Sequence, residues 1–317
     1  IKQIKNFNQL GLRDNLQLEY YKNKKIKTLE NYSQGCKNGI HKDFYLTGIL
    51  KKISIYKHGY KFGTEYINNQ EGNLKFLKTH INKHFYEIER YTNNLMISKC
   101  NIKNSKIFGT AFYYQFNGDI KKKCNYINGS FEGKTYIYND FGLYKLINYK
   151  NNKKNGFYML YNNLGEIHIY CNFKNDKLNG PLKIFNINSK NIYTMNFKNG
   201  LLDGEYIYYD IIKKKYNFKN NMLNGYYIDY YNNNNPKYKI KFCNNRFDKI
   251  YKKYNFNGSL NIEILITDNG YKIIKYKNDI EVLTIHKIEN EYYYSKDNQL
   301  IYLDSFYFNP IFHTSEV

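Results

Sequence analysis

The chain has one alanine, three arginines, three prolines and no tryptophan among its 317 residues. Its five cysteines are never closer than 24 residues, and both the spacing and the odd number argue against a disulfide framework or a paired C-x-x-C metal site. No stretch approaches the ~18 consecutive apolar residues of a membrane-spanning helix, and the first thirty residues lack the apolar run of a signal peptide. These absences lead us to expect a soluble, intracellular and cytoplasmic chain. Because it opens on Ile1, a removed targeting segment, and with it an organelle or a virion, stays compatible with the sequence. No Walker loop, HExxH or GxSxG occurs either.

The scarce residues share a cause. Ala, Arg, Pro and Trp need G or C in their codons, whereas the abundant Lys, Asn, Ile, Tyr and Phe do not. The net charge of +22, carried by 46 Lys against 3 Arg, therefore reports an AT-rich genome first. A surface selected for nucleic acid would favour the planar, bidentate Arg. An anionic partner is the second explanation. With 42% apolar and 19% aromatic residues, wholesale disorder is not expected.

Glycine escapes the bias, and its twenty copies set a period. An opening slot runs through Gly11, Gly35, Gly59, Asn82, Ser105, Gly129, Asn152, Asp176, Gly200, Asn221, Asn245 and Gly270, in steps of 23 to 25 residues with one of 21. A second slot, four residues on, holds Asn15, Gly39, Gly63, Tyr86, Gly109, Gly133, Gly156, Gly180, Gly204, Gly225 and Lys249. A third, nine further on, holds Gly48, Gly72, Gly118, Gly142, Gly165 and Gly258, with Lys24, Leu95, Ser189, Lys213 and Asn234 in the other repeats. All twenty glycines fall in these slots. Every other occupant of the opening slot is Asn, Asp or Ser, residues suited to turns.

Aromatics keep the same phase. Five residues after the second slot stand Tyr20, Phe44, Asn68, Tyr91, Tyr114, Tyr138, Tyr161, Phe185, Tyr209, Tyr230 and Tyr254. Three residues before the opening slot stand Tyr32, Tyr56, Tyr126, Tyr149, Phe173, Phe197, Phe218 and Phe242, with Thr79, Ile102 and Thr267 between them. Each unit reads as strand, turn, strand, turn, the signature of a β-hairpin. The expected fold is all-β: an elongated single antiparallel sheet of about eleven hairpin repeats of 23–24 residues, with little or no helix. The only helix-like stretch, Asn73 to Arg90, keeps the repeat phase and is read as strand. The repeats span 11–283, with residues 1–10 as an N-terminal cap. Residues 284–317, including Tyr292-Tyr293-Tyr294, the Lys296-Asp297-Asn298 turn and Asn309-Pro310, form a C-terminal capping segment out of register.

The units Asn155-Gly156-Phe157-Tyr158 with Tyr161 and Gly165, and Asp203-Gly204-Glu205-Tyr206 with Tyr209, resemble the variant MORN repeat, including YwqK-type antitoxin-like proteins. The resemblance is strongest from Gly109 to Asn235. It implies a hairpin-repeat sheet and a role in protein or membrane contact. Tyr86 and Lys249 in the second slot and Lys213 in the third depart from the pattern, and bulges, distortions or insertions are expected there.

At ~4.8 Å per strand, about 22 strands make a sheet on the order of 100 Å long, each unit packing on its neighbours. Tyr114, Tyr138, Tyr161, Phe185, Tyr209 and Tyr230 are expected to form an aromatic ladder, held by pair energies of ~1 kcal/mol. The repeats leave too few residues for a catalytic domain, so no enzyme, cofactor or metal is expected; a catalytic pocket within the sheet would need converging titratable groups. Cys124 and Cys171 share a slot that Cys100 nearly joins, and all read as small buried hydrophobes. His80 and His84 would pair on a helix but stand ~13 Å apart on a strand, as exposed residues. Lys121-Lys122-Lys123 and Lys213-Lys214-Lys215, with Lys51, Lys52, Lys145 and Lys237, fall near one margin. They form either an anion-binding strip or a solvated edge that keeps an aromatic sheet soluble. The function expected is a protein-binding scaffold, antitoxin-like or a part of a larger assembly. The alternative is a basic surface for nucleic acid or anionic lipid.

Overall fold

The computed structural model describes residues 2–209, 212–288, 291–296 and 299–303. The chain is all-β, with no helix among the described residues, and falls into two compact units, Ile1–Glu166 and Ile167–Val317. Within each unit, strands consecutive in sequence pair antiparallel into an open sheet. The stretch from Asn73 to Arg90 is strand, divided between Leu74–Asn82 and Phe85–Thr92. No helix among the described residues is long and apolar enough to cross a membrane.

Two kinds of turn alternate. At nine of the twelve opening slots, all but Gly11, Asn82 and Gly270, the strands are joined by two residues, both left-handed. Examples are Asn104-Ser105 (φ 49° and 63°), Asn151-Asn152 (49° and 66°) and Asn175-Asp176 (49° and 65°). This is the type I′ geometry that matches strand twist, and Asn, Asp, Ser or Gly tolerates it where a β-branched residue would not. The opening-slot amide also donates to the preceding repeat: Gly35 N to Arg13 O at 2.8 Å, Gly129 N to Ile107 O at 2.9 Å, Asn245 N to Leu223 O at 2.9 Å. At Asn152 and Asn221 the side chain returns the bond, Asn152 Oδ1 accepting from Phe131 N and Asn221 Oδ1 from Leu202 N, both at 2.6 Å. Most third-slot turns are longer loops closed by a left-handed residue, as at Gly48 (φ 90°), whose amide donates to Tyr45 O at 2.8 Å; at Leu95 and Gly142 two residues make the turn. Tyrosines leading into these loops tie neighbours together: Tyr21 Oη donates to Phe44 O at 2.7 Å, Tyr45 Oη to Asn68 O at 2.8 Å and Tyr231 Oη to Tyr254 O at 3.0 Å.

The second slot marks a wide bulge. Across Leu95–Lys103 and Lys106–Tyr114, Asn101 faces Phe108 but Lys99 faces Phe112, so two steps on one strand oppose four on the other. Gly109 (φ 71°) lies in the surplus. The same step recurs in Lys177–Phe185, Leu201–Tyr208 and Arg246–Tyr254. The two departures from glycine differ. Lys249 adopts the left-handed conformation itself (φ 56°) and keeps the bulge. At Tyr86 pairing runs residue by residue through Glu87–Thr79 and Ile88–Lys78, and the slack moves to the neighbouring strand, where Ile81 is skipped. Lys213 borders positions 210–211, outside the described residues.

Bulges bend a sheet and raise its twist, and the core gathers on that bend. Two residues after the second slot stand Gln17, His41, Glu65, Ile88, Ala111 and Thr135, all buried. Opposite them lie Ser54, Cys100, Cys124 and Ile147, also buried. In the second unit the same rows hold Leu182, Tyr206, Tyr227 and Tyr251 facing Met195, Tyr216, Ile240 and Ile264.

At the N-terminus, Gln3–Ile4 pairs with Asn15–Tyr20 as an edge strand. At the other end, pairing continues past position 283: Ile280–Ile288 is followed by Glu291–Lys296 and Gln299–Leu303, each antiparallel to the last. The rest of the expected C-terminal cap, 304–317 with Asn309-Pro310, and positions 297–298 of its turn lie outside the described residues.

Candidate functional site

The buried row changes chemistry along the first unit, and its N-terminal part is polar. Glu65 is 1% exposed and sits at the centre of a charged cluster. It accepts from Ser54 Oγ at 2.8 Å, Lys61 Nζ at 2.5 Å and His80 Nε2 at 3.2 Å, with Lys78 Nζ at 3.8 Å. Burial alone would push this carboxyl up; the hydrogen bonds from Lys61 and Ser54 and the Lys61 charge outweigh it and hold the pKa at about 2. One repeat earlier, His41 lies between the rings of Tyr32 and Tyr56, at 5.9 and 4.6 Å. Its Nε2 is 2.7 Å from Asn31 O, and its buried Nδ1 has no hydrogen-bond partner. Burial lowers its pKa, so the ring is neutral near pH 7. Ser54 is fully buried. The groups around Glu65 satisfy one another as a buried polar network should, and His41 Nδ1 is the one atom of the row left out of it.

His80 is therefore a largely buried partner of Glu65, contrary to its expected exposure, whereas His84 is exposed in a turn. Among the described residues no three His, Cys, Asp or Glu side chains come close enough to hold a metal ion. Cys100, Cys124 and Cys171 are buried and Cys36 and Cys243 exposed. Burial pushes the Cys100 and Cys124 thiols up.

The aromatic residues arrange differently from the expected ladder. Tyr114, Tyr138, Tyr161, Phe185, Tyr209 and Tyr230 stand at strand ends; Tyr114, Tyr138, Phe185 and Tyr230 mark a register slip of one residue. Equivalent positions recur on every second strand, ~10 Å apart, beyond the ~4.5–7 Å of ring contact. Rings meet instead across adjacent strands: Tyr126 with Phe131 at 4.6 Å, Phe131 with Tyr149 at 5.3 Å, Tyr216 with Tyr227 at 4.9 Å. Tyr126 and Tyr149 belong to the other aromatic slot. In the second unit Tyr193, Tyr206, Tyr208, Tyr216, Phe218 and Lys214 line an open hollow.

Each lysine triplet is split by strand alternation. Lys122 lies on the face of buried Cys124 and Tyr126, its Nζ 4.6 Å from the Tyr113 ring and 4.9 Å from Phe131. Lys123 points the other way, over Phe112 and Tyr136, and Lys121 is exposed. Lys213 caps the Tyr230 ring at 4.8 Å, Lys214 lines the tyrosine hollow and Lys215 pairs with Glu205. Lys51, Lys145 and Lys237 also cover rings, and Lys52 pairs with Asp43 at 2.6 Å. The lysines thus form a series of cation–π contacts and ion pairs on both faces.

Two features escaped sequence reasoning. The buried row has no single residue type; the one available signal was its fixed offset from the second slot. An Asn column, Asn31, Asn196 and Asn217, packs beside second-slot glycines and donates across the bulge to Ile40 O, Glu205 O and Tyr226 O at 2.7, 3.2 and 3.0 Å. Its fixed place, four residues before the opening slot, was hidden in a sequence where Asn is common.

Compared with models of known protein families and with characterised proteins, the sequence matches none.

Proposed function

We propose that the chain is a non-enzymatic, MORN-like hairpin-repeat scaffold that binds another protein, as part of a larger assembly or as an antitoxin-like neutraliser. The observation that carries this reading is a contiguous apolar surface on the first unit. Ile40 faces Ile55 across one strand pair, Phe62 N donates to Ile55 O at 2.9 Å, and Ile40, Ile55, Phe62, Tyr66 and Ile81 are all exposed. Scattered exposed apolar side chains are ordinary, but a contiguous group rimmed by charge is how a protein contact is built. The polar groups around Glu65 are engaged with one another and supply cohesion. The experiment is capture of native partners on the immobilised chain, followed by a nuclease wash and a rinse at about 500 mM salt. A stoichiometric protein that survives both supports the scaffold; a bound fraction lost to either step removes it.

A second reading, a surface for nucleic acid or anionic lipid, draws on Lys214 among tyrosines and on the net charge of +22. It requires an affinity that falls steeply with salt, and a flat response eliminates it.

A further inference from the structure

The residue just before the second slot is Asp14, Asn38, Glu132, Asn155, Asn179, Asp203, Asn224 and Asp248 in eight repeats. Its task is visible in three of them. Asp14 Oδ1 accepts from Gln34 N at 3.0 Å, Glu132 Oε2 from Asn151 N at 2.9 Å and Asn179 Oδ1 from Asn199 N at 3.2 Å, so the side chain caps the next repeat's opening turn. In three consecutive repeats the position holds Phe62, Phe85 and Phe108 instead. A ring cannot accept that bond, and burial does not compensate at Phe62 (57% exposed) or Phe108 (38%), while Phe85 between them is half-buried. Tyr60 (55%) and Ile81 (58%) extend the apolar surface beside Phe62. Together with Phe62 they line an open hollow of ≈ 480 Å³ that Lys57 and Lys83 also line, beside Lys61, whose Nζ is held by Glu65. No carboxylate lines it. Glu65, the partner of Lys61, is itself buried.

We propose that the Phe62–Phe85–Phe108 row, with Tyr60 and Ile81, is a docking site for an acidic protein segment that inserts apolar side chains between the lysines. The assignment rests on the scaffold reading above and names the partner's chemistry. Equivalent positions of successive repeats stand ~10 Å apart, which sets the spacing of the inserted side chains. An apolar floor inside a charged rim is the anatomy of a protein interface, with aromatic anchors as its centre. Lys83 Nζ lies 5.4 Å over the Tyr60 ring and Lys103 Nζ 5.2 Å over Phe108. Those cations already cover faces on which a nucleobase would have to stack, while carboxylates approaching at the rim would meet them directly.

The test uses the full chain and a displayed library of random peptides of about 16 residues, long enough for a docked strand or helix. Peptides selected on the wild type are expected to carry Phe, Leu or Ile flanked by Asp and Glu, and to bind the F62D/F108D double variant about tenfold or more weakly. Those substitutions restore the residue type of the other repeats, so the variant is expected to melt no lower than the wild type. Absence of enrichment, enrichment of basic or uncharged sequences, or equal binding to the variant overturns the proposal. So does oligo(dT) binding that the same variant abolishes. A native partner held equally by wild type and F62D/F108D would leave the scaffold reading standing and remove this row from it.

Discussion

Asn217 closes over Gly225. Its Nδ2 donates to Tyr226 O at 3.0 Å, and its Cβ lies 3.1 Å from where a Cβ on Gly225 would stand. The glycine's φ of +112° is also far from the ~+57° that L-residues reach in the left-handed well. The bulge thus requires glycine twice, for conformation and for room.

Replacing Gly225 with Ala is accordingly expected to cost about 3 kcal/mol. Gly63 has φ +65° and nothing within 4 Å of its ideal Cβ, so Gly63→Ala should cost about 1 kcal/mol. Urea unfolding of the two variants checks the order, and equal losses would show that the Asn contact contributes nothing.

The opening-slot asparagines separate in the same way. Asn245 (φ 65°) holds Leu223 N with its Oδ1 at 2.6 Å. Asn245→Gly keeps the turn and loses only this bond, about 1 kcal/mol. Asn245→Ala also strains the turn and should lose about 2 kcal/mol. Thermal or urea midpoints of both variants measure the gap.

Glu65 should govern the acid limb of stability. Its folded pKa of about 2 lies below the ordinary 4.5, so its contribution is fully present above about pH 4.5 and is lost as pH falls towards 2. That contribution is about 3 kcal/mol. Glu65→Gln should destabilise the chain by roughly this amount at pH 7, since it leaves Lys61 and Lys78 beside an uncharged group. The difference from wild type should vanish near pH 2; a gap that persists there would assign the loss to packing.

Thiol titration offers a check on the core. Cys36 and Cys243 are exposed, whereas Cys100, Cys124 and Cys171 are buried, the first two with raised pKa. An aromatic disulfide reagent should modify two of the five thiols in the native chain and all five in denaturant.

The repeat itself was legible because backbone conformation leaves a residue-level mark. A left-handed φ selects Gly or Asn, so the slots containing Gly39, Gly133 and Asn152 could be counted without a structure. Packing leaves a weaker mark. The row from Gln17 through His41 and Glu65 to Ala111 runs from polar to apolar at one structural position, because each side chain answers to its own neighbours. Tyr86 and Lys249 broke the pattern identically in sequence, yet Lys249 tolerates the bulge and Tyr86 removes it. The lysine triplets looked continuous because sequence adjacency conceals strand alternation; Lys122 and Lys123 face opposite ways.

At Gly35, Gly59, Gly129, Gly200 and Asn245, the turn amide reaches back to a carbonyl 22 residues earlier. Each of these hairpins therefore finds the carbonyl for its turn amide already synthesised when it leaves the ribosome. Short-range contacts of this kind favour rapid, sequential folding. A chain so wired can fold from its N-terminus as it is made, each turn serving as the template for the next.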